Sequence, residues 1–312
     1  MQVIKKILNI LLKIIVVIVI VIGLFLAIVF IVNLISSKSE QGKIESYGQL
    51  VPVDGEHINV TIEGEGEETV VLLPGYGTAA PALDFKPLIE ELSPYYRVVV
   101  VEPFGYGLSD YTEKDRTTEN IVSETHEVLQ NLGIDQYILM GHSIAGIYGL
   151  DYVNKYQDEV TAFVGIDTSV PTQGGMDTEF PIKTFNFLNK SGIVRLFMKL
   201  GDDPYESLPY NDETKEQMRM LTHKNFYNPS NINEMQHFES NFNAAQALDF
   251  PSDLPLLFFL EADNTDVDGW IPLHEEQVKD SDHGEVILLE GDHYLHHTQS
   301  EVMVEMVRDF LK

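Results

Sequence analysis

The polarity of the chain changes three times along its length. Ile14 to Val32 is a run of nineteen residues without a charge or an amide. At 1.5 Å per residue it spans roughly the hydrocarbon core of a bilayer. Insertion of so many Ile, Leu, Val and Phe residues gains on the order of 5–10 kcal/mol. The run exceeds a signal-peptide core, and its exit, Asn33-Leu34-Ile35-Ser36-Ser37, is a poor cleavage site. Residues 1–36 therefore read as an uncleaved, single-pass transmembrane anchor. Lys5, Lys6 and Lys13 precede the span and Lys38 and Lys43 follow it, a modest bias that keeps the N-terminus inside and the body on the extracytoplasmic side of the cell membrane. Residues 37–48 are polar and read as a tether.

From Gln49 the period shortens. Leu50–Val53 and His57–Ile62 alternate around Asp54-Gly55, which predicts a hairpin. Thr69–Leu73, Arg97–Val101, Tyr137–Met140 and Val160–Ile166 are short apolar runs, as expected of strands buried on both faces. Helical patterns separate them, including Thr117–Leu132, which Gly133 stops. Such alternation predicts a parallel sheet with right-handed crossovers and helices on both faces. The alternation breaks over residues 171–250, where helical pieces rich in Phe and Met stand in for strands. Sheet runs resume at Leu256–Leu260 and Val286–Leu289, and a helix near Gln299–Leu311 ends the chain. The predicted organisation is a domain over 49–312 with a helical cap inserted at about 171–250. The cap's aromatics are expected mainly to form its own core, with some facing the strand ends.

Charge narrows the possible partners. The chain carries 20 Lys and Arg against 49 Asp and Glu, a net charge of −29. Residues 1–44, with five Lys and one Glu, contribute +4, so the rest is about −33. Nucleic acid, whose binding rests on cationic patches, is excluded as a partner. The absence of cysteine rules out disulfides, thiolate metal ligands and a thiol nucleophile.

The candidate chemistry lies where strands end, the face on which open α/β sheets place their sites. Gly141-His142-Ser143-Ile144-Ala145-Gly146 joins a strand to a helix, a sharp turn that lifts the Ser143 hydroxyl clear of the backbone. Gly141 and Ala145 are needed because larger side chains would collide in the turn. A serine attacks only when a base takes its proton and a carboxylate orients that base. His293, in the loop after Val286–Leu289, is the candidate base; His296 and His297, at the start of the last helix, compete. His293-x-x-His296-His297 also suggests a metal, but the sequence places no further ligand to complete it. Asp263 stands closest behind Leu256–Leu260 and is the chosen acid, with Asp268 and Asp167 as rivals. Asn264-x-Asp266-x-Asp268-Gly269, with Glu275, partly imitates a calcium loop, but its first position is Asn and no helix–loop–helix surrounds it. Backbone N–H groups of Tyr76 and Ile144 are the candidate oxyanion donors.

Taken together these residues resemble the α/β-hydrolase superfamily, in particular its capped esterase and lipase-like members. The resemblance runs from about Leu50 to Lys312. It rests on Val-Pro-Val-Asp-Gly, Leu-Leu-Pro-Gly-Tyr-Gly, Glu-Pro-Phe-Gly-Tyr-Gly-Leu-Ser, Gly-His-Ser-Ile-Ala-Gly and Gly-Asp-His. Pro74 stands where the family usually has His, and Glu102 where Asp is commoner. The resemblance implies an eight-stranded, mostly parallel sheet and a Ser143–Asp263–His293 triad. It also implies hydrolysis of a small-molecule carboxylic ester through an acyl-enzyme, without a cofactor or metal. A peptidase, amidase or thioesterase would use the same triad, and a non-catalytic ligand sensor would use the same pocket. A serine nucleophile argues against the branches that use aspartate, such as epoxide hydrolases and haloalkane dehalogenases.

Overall fold

The computed structural model describes residues 2–176, 178 and 180–312. It opens with α1 (Gln2–Gln41), a single helix of 40 residues long and apolar enough to cross a membrane. The helix runs through Gln41, so its last turns occupy the first residues of the expected tether. Only Val29 is buried along it.

Chain order then gives β1 (Gln49–Val53), β2 (Glu56–Glu63), β3 (Thr69–Leu73), α2 (Pro81–Asp84), α3 (Lys86–Leu92) and β4 (Arg97–Glu102). Next come α4 (Thr118–Asn131), β5 (Tyr137–His142), α5 (Ala145–Lys155) and β6 (Val160–Ile166). Five helices separate β6 from the next strand: α6 (Ile182–Ser191), α7 (Ile193–Leu200), α8 (Asp212–Asn225), α9 (Pro229–Gln236) and α10 (Phe238–Ala245). The chain closes with β7 (Leu256–Glu261), α11 (Trp270–Val278), β8 (Gly284–Leu289), α12 (Leu295–Thr298) and α13 (Ser300–Phe310).

The strands form one eight-stranded sheet in the order β1-β2-β4-β3-β5-β6-β7-β8. The β1–β2 and β2–β4 pairings are antiparallel and the rest parallel. Asp54 and Gly55 both take positive φ, as a tight two-residue hairpin turn demands. Every residue of β3 and β5 is buried, because helices cover both faces. That is why these strands read as unbroken apolar runs. One core, around Val71, Leu139, Ile147, Phe163 and Phe258, fills one face. The other, around Leu72, Val100, Met140, Val164 and Phe259, is closed by α3 and α13.

Glu102, at the end of β4, organises the strand ends. Its carboxylate accepts from Tyr47 Oη (2.8 Å), Asn59 Nδ2 (3.0 Å), Leu108 N (2.8 Å) and Ala82 N (3.2 Å). Burial raises its pKa, and these four donors oppose that rise. A Cβ on Gly107 would overlap the carboxylate, at 1.8 Å, so the loop closes over Glu102 only with glycine there.

The five inserted helices differ in how they are held. α8, α9 and α10 each bury several residues. Glu234 on α9 is buried and accepts from Tyr148 Oη at 2.7 Å and Tyr106 Oη at 2.8 Å, bolting this part of the cap to the body. α6 buries no residue and α7 buries only Arg195. Phe238 and Phe242 face the strand ends, whereas Phe187 and Phe197 are exposed.

Candidate active site

Ser143 sits between β5 and α5 with φ of 55°. This is an unusual conformation for a non-glycine residue, of the kind that persists where the surroundings over-determine it. Three hydrogen bonds hold it: Ser143 N to Ile166 O (3.1 Å), and Gly146 N (3.0 Å) and Ser169 N (2.8 Å) to Ser143 O. The small neighbours are explained by contact. A Cβ on Gly141 would stand 2.9 Å from Ala145 Cβ, and one on Gly146 would stand 2.5 Å from Ser169 O. A Cβ on Gly75 would lie 2.6 Å from His142 Nδ1 and 3.0 Å from Ser143 Cβ. The loop after β3 therefore presses directly on the serine turn.

That approach brings Tyr76 to Ser143. Tyr76, Ser143, Ile144 and His293 line one open cleft of about 280 Å³, together with Phe238, Phe242, Val267 and Trp270. Among the described residues no hydrogen-bond acceptor takes the backbone N–H of Tyr76 or Ile144. The Tyr76 ring meets Phe238 edge-on at 4.8 Å, and its hydroxyl donates to Asn231 O at 3.0 Å, so two contacts tie the cap to this loop.

The acid is where the structure departs from the expected triad. His293 Nδ1 lies 2.6 Å from Asp167 Oδ2. Asp263 is exposed and makes no hydrogen bond among the described residues, and Asp268 is exposed as well. Asp167 follows β6 and is fully buried, with φ of 44°. Its second oxygen accepts from Glu261 N at 3.0 Å and from Trp270 Nε1 at 2.8 Å. Three donors thus converge on the buried carboxylate of Asp167, one of the two rivals weighed from the sequence, and not on Asp263. Trp270, the sole tryptophan, is the residue sequence reasoning missed. Its indole donor, which seeks a partner when buried, is the one local signal that was available.

His293 is partly open to the cleft, with 41% of its side chain exposed. Its main-chain oxygen accepts from His142 Nε2 at 3.0 Å. This bond puts the His142 proton on Nε2 and leaves the buried Nδ1 unpartnered. Burial first, then the neighbouring His296 and His293 rings, push the His142 pKa well below the usual range, so this imidazole stays neutral. Ser143 Oγ and the His293 ring share the cleft wall without a direct hydrogen bond among the described residues, a looseness common before substrate arrives.

His296 and His297 do not line the cleft and are held by Asp84. His296 Nε2 lies 2.8 Å from Asp84 Oδ2, and His297 Nε2 lies 3.0 Å from Asp84 Oδ1. Burial pushes the Asp84 carboxyl up, but the two imidazoles outweigh it and hold the group well below the ordinary carboxylate range. Two imidazoles and a carboxylate are also a donor set for a divalent metal, but each carboxylate oxygen already has an imidazole partner. The cluster clamps α2 to α12. In the calcium-like loop, Asn264 Oδ1 accepts from Asp266 N and Val267 N, an ordinary side-chain-capped turn.

An eight-stranded sheet of this order, a serine on a strained strand-to-helix turn and a histidine after the last strand define a hydrolase architecture. The family model described as the alpha/beta hydrolase fold matches residues 68–249, more than half of the chain. The chain belongs to the α/β hydrolase fold family. Uncharacterized protein YbdG of Bacillus subtilis (strain 168) is 30% identical over 238 residues, covering 73% of each chain. A putative epoxide hydrolase structure from Pseudomonas aeruginosa superposes with a TM-score of 0.67 at 16% identity, covering 85% of this chain and 97% of that one. The enol-lactonase from Burkholderia xenovorans LB400 superposes with a TM-score of 0.60 at 17% identity, covering 84% and 99%. At those identities the two structures establish the shared fold.

Proposed function

We propose that the protein is a serine hydrolase that cleaves a carboxylic ester through an acyl-enzyme, with Ser143, His293 and Asp167 as its triad. The observation that carries this reading is the 2.6 Å contact of the buried Asp167 with His293 in the cleft that also exposes Ser143. Ser143 Oγ attacks the ester carbonyl while His293 Nε2 takes its proton. Asp167 holds the Nδ1–H tautomer and stabilises the imidazolium. The N–H groups of Tyr76 and Ile144 receive the negative oxygen of the tetrahedral intermediate, each worth about 2.7–4 kcal/mol in the transition state. Collapse expels the alcohol, which takes the proton back from His293. Water, deprotonated by the same ring, then releases the acid. The mainly apolar lining favours an uncharged acyl group, and the strongly anionic body disfavours anionic substrates. A serine at the turn, where aspartate-using branches need a carboxylate, argues against epoxide opening. The helix α1 is read as a membrane anchor that holds the body at the cell surface.

A fluorophosphonate probe tests the nucleophile: labelling of the wild-type chain that disappears in Ser143→Ala supports the acyl-enzyme. Release of nitrophenol from p-nitrophenyl esters of increasing chain length, with an anilide alongside, separates an esterase from an amidase. Tight binding of an unaltered ligand without labelling would instead identify a sensor and overturn the catalytic reading.

A further inference from the structure

The two loosely held cap helices pack on α1, on α9 and on each other, yet leave large apolar side chains open to solvent. α6 buries nothing and α7 buries only Arg195, yet Phe187, Phe197 and Leu200 are 53%, 65% and 75% exposed. Residues 180–201 hold Lys183, Lys190, Arg195 and Lys199 and no acid, inside a chain whose net charge is −29. All three lysines are exposed. Exposed aromatic and aliphatic side chains interleaved with lysines are the composition of a helix that lies in a membrane interface.

The position of this hairpin is fixed against α1. Gly192, with φ of 79°, makes the turn between α6 and α7, and a Cβ there would stand 2.5 Å from Asn33 Cβ and 3.1 Å from Val29 O. Val29 lies three residues inside the apolar end of the run Ile14–Val32, or about 5 Å along the helix. Arg195 locks the contact: it donates to Asn33 Oδ1 at 2.8 Å and Ser37 Oγ at 2.9 Å, and pairs with Glu40. The turn therefore sits at the depth where the apolar helix surface gives way to polar residues.

We propose that the α6–α7 hairpin rests on an anionic phospholipid surface. Phe187, Phe197 and Leu200 enter the acyl-chain boundary, and Lys183, Lys190 and Lys199 meet the headgroup phosphates. The proposal rests on the reading of α1 as a membrane span. It links the membrane to the proposed site, because Met176 and Phe180, ahead of α6, stand at the cleft. Met176 lines it, and the Phe180 ring packs edge-on against cleft residue Phe238 at 5.8 Å. A hairpin seated in lipid brings that wall of the cleft to the bilayer, which suits a substrate that is itself an amphiphile.

The chain has no cysteine, so single labels are clean. Phe197→Cys, Leu200→Cys, Val21→Cys and Asp135→Cys are each labelled with an environment-sensitive fluorophore in the full chain, with folding checked by the emission of buried Trp270. The chains are reconstituted into vesicles of phosphatidylcholine and phosphatidylglycerol, with or without lipids brominated high on the acyl chain, or near its end for the label at 21, which lies mid-span. Emission at 197 and 200 is expected to fall about twofold with the quencher, as for interfacial side chains, and emission at 135 to stay constant. The combined Lys183→Glu, Lys190→Glu and Lys199→Glu change is expected to abolish quenching at 200 while leaving it at 21. No quenching at 197 and 200 with quenching at 21 overturns the hairpin proposal and leaves the anchor standing. No quenching at 21 overturns the anchor and the hairpin together. Undiminished quenching at 200 after the charge reversal overturns the role given to the lysines.

Discussion

His142 Nε2 donates to the main-chain oxygen of His293 at 3.0 Å, so the residue before the proposed nucleophile carries the loop of the proposed base. His142 does not line the cleft, and its proposed role is to position the His293 loop. One hydrogen bond of this kind is worth about 1 kcal/mol. His142→Phe should therefore lower kcat about five- to tenfold, with KM little changed. His142→Gln, which keeps an N–H donor, should restore most of the loss. An equal loss in both variants would show that ring packing, and not the bond, matters.

The carboxylate assignment separates two variants. Asp167→Asn keeps the shape but allows the wrong His293 tautomer, and is expected to lower kcat on the order of 10⁴-fold. Asp263→Asn alters an exposed side chain and should leave kcat within about twofold. Esterase kinetics on the two purified proteins decide it, and the reverse ranking would restore the sequence-based choice.

Acid sensitivity follows from buried imidazoles. His142 is held neutral by burial, then by the neighbouring His296 and His293, so its folded pKa lies well below 6.5. Below pH 6.5 the unfolded chain takes a proton at this position that the folded chain refuses, so stability falls as pH falls until the folded pKa is passed. The loss is at most about 1.4 kcal/mol per pH unit for one such group. Burial likewise lowers His274 and His296. Between pH 7 and 5 the wild-type midpoint in thermal unfolding should fall more steeply than that of His142→Gln. Parallel curves would rule His142 out as a contributor.

Arg195 is 5% exposed and serves as the joint between α1 and the α6–α7 hairpin. Its removal leaves Glu40, which is 19% exposed, with only the His223 imidazole at 3.3 Å. Stranding a partly buried charge costs about 2–3 kcal/mol, less than the figure for a fully buried pair. Because α6 and α7 are otherwise loosely packed, the cost should appear as local opening and not as global unfolding. Arg195→Ala in detergent is expected to be cut by trypsin at Lys190 and Lys199 at least tenfold faster than wild type, with the thermal midpoint of the body little changed. An unaltered digestion rate would show that the joint carries no strain-free docking energy.

Most of the frame was legible because buried parallel strands and crossover helices leave strong periodic signatures. Thr69–Leu73 and Tyr137–Met140 read directly as strands, and the Ser143 turn announced itself through Gly141, Ala145 and Gly146. The carboxylate partner of His293 was not legible, because the loop after β7 holds several carboxylates and distance along the chain cannot rank them. What singles out Asp167 is the convergence of Glu261 N, the Trp270 indole and His293 on one point, a relation among β6, β7, α11 and the last loop. The Arg195–Glu40 joint was hidden for the same reason, since 155 residues separate its partners. Glu102 stood out as a departure from the family pattern, but its role as a hub for four donors emerges only when β2, α2 and the β4 loop are assembled.

Anchoring His293 through a rigid strand end has a bearing on how selectivity can change. The segment from Asp263 to Asp268 is released from orienting the imidazole, yet Asn264, Asp266 and Val267 still stand on the cleft wall. On the proposed reading, turnover and preference are thereby written on separate pieces of chain. A library confined to those three positions would resample the ligands admitted while leaving the proton relay untouched.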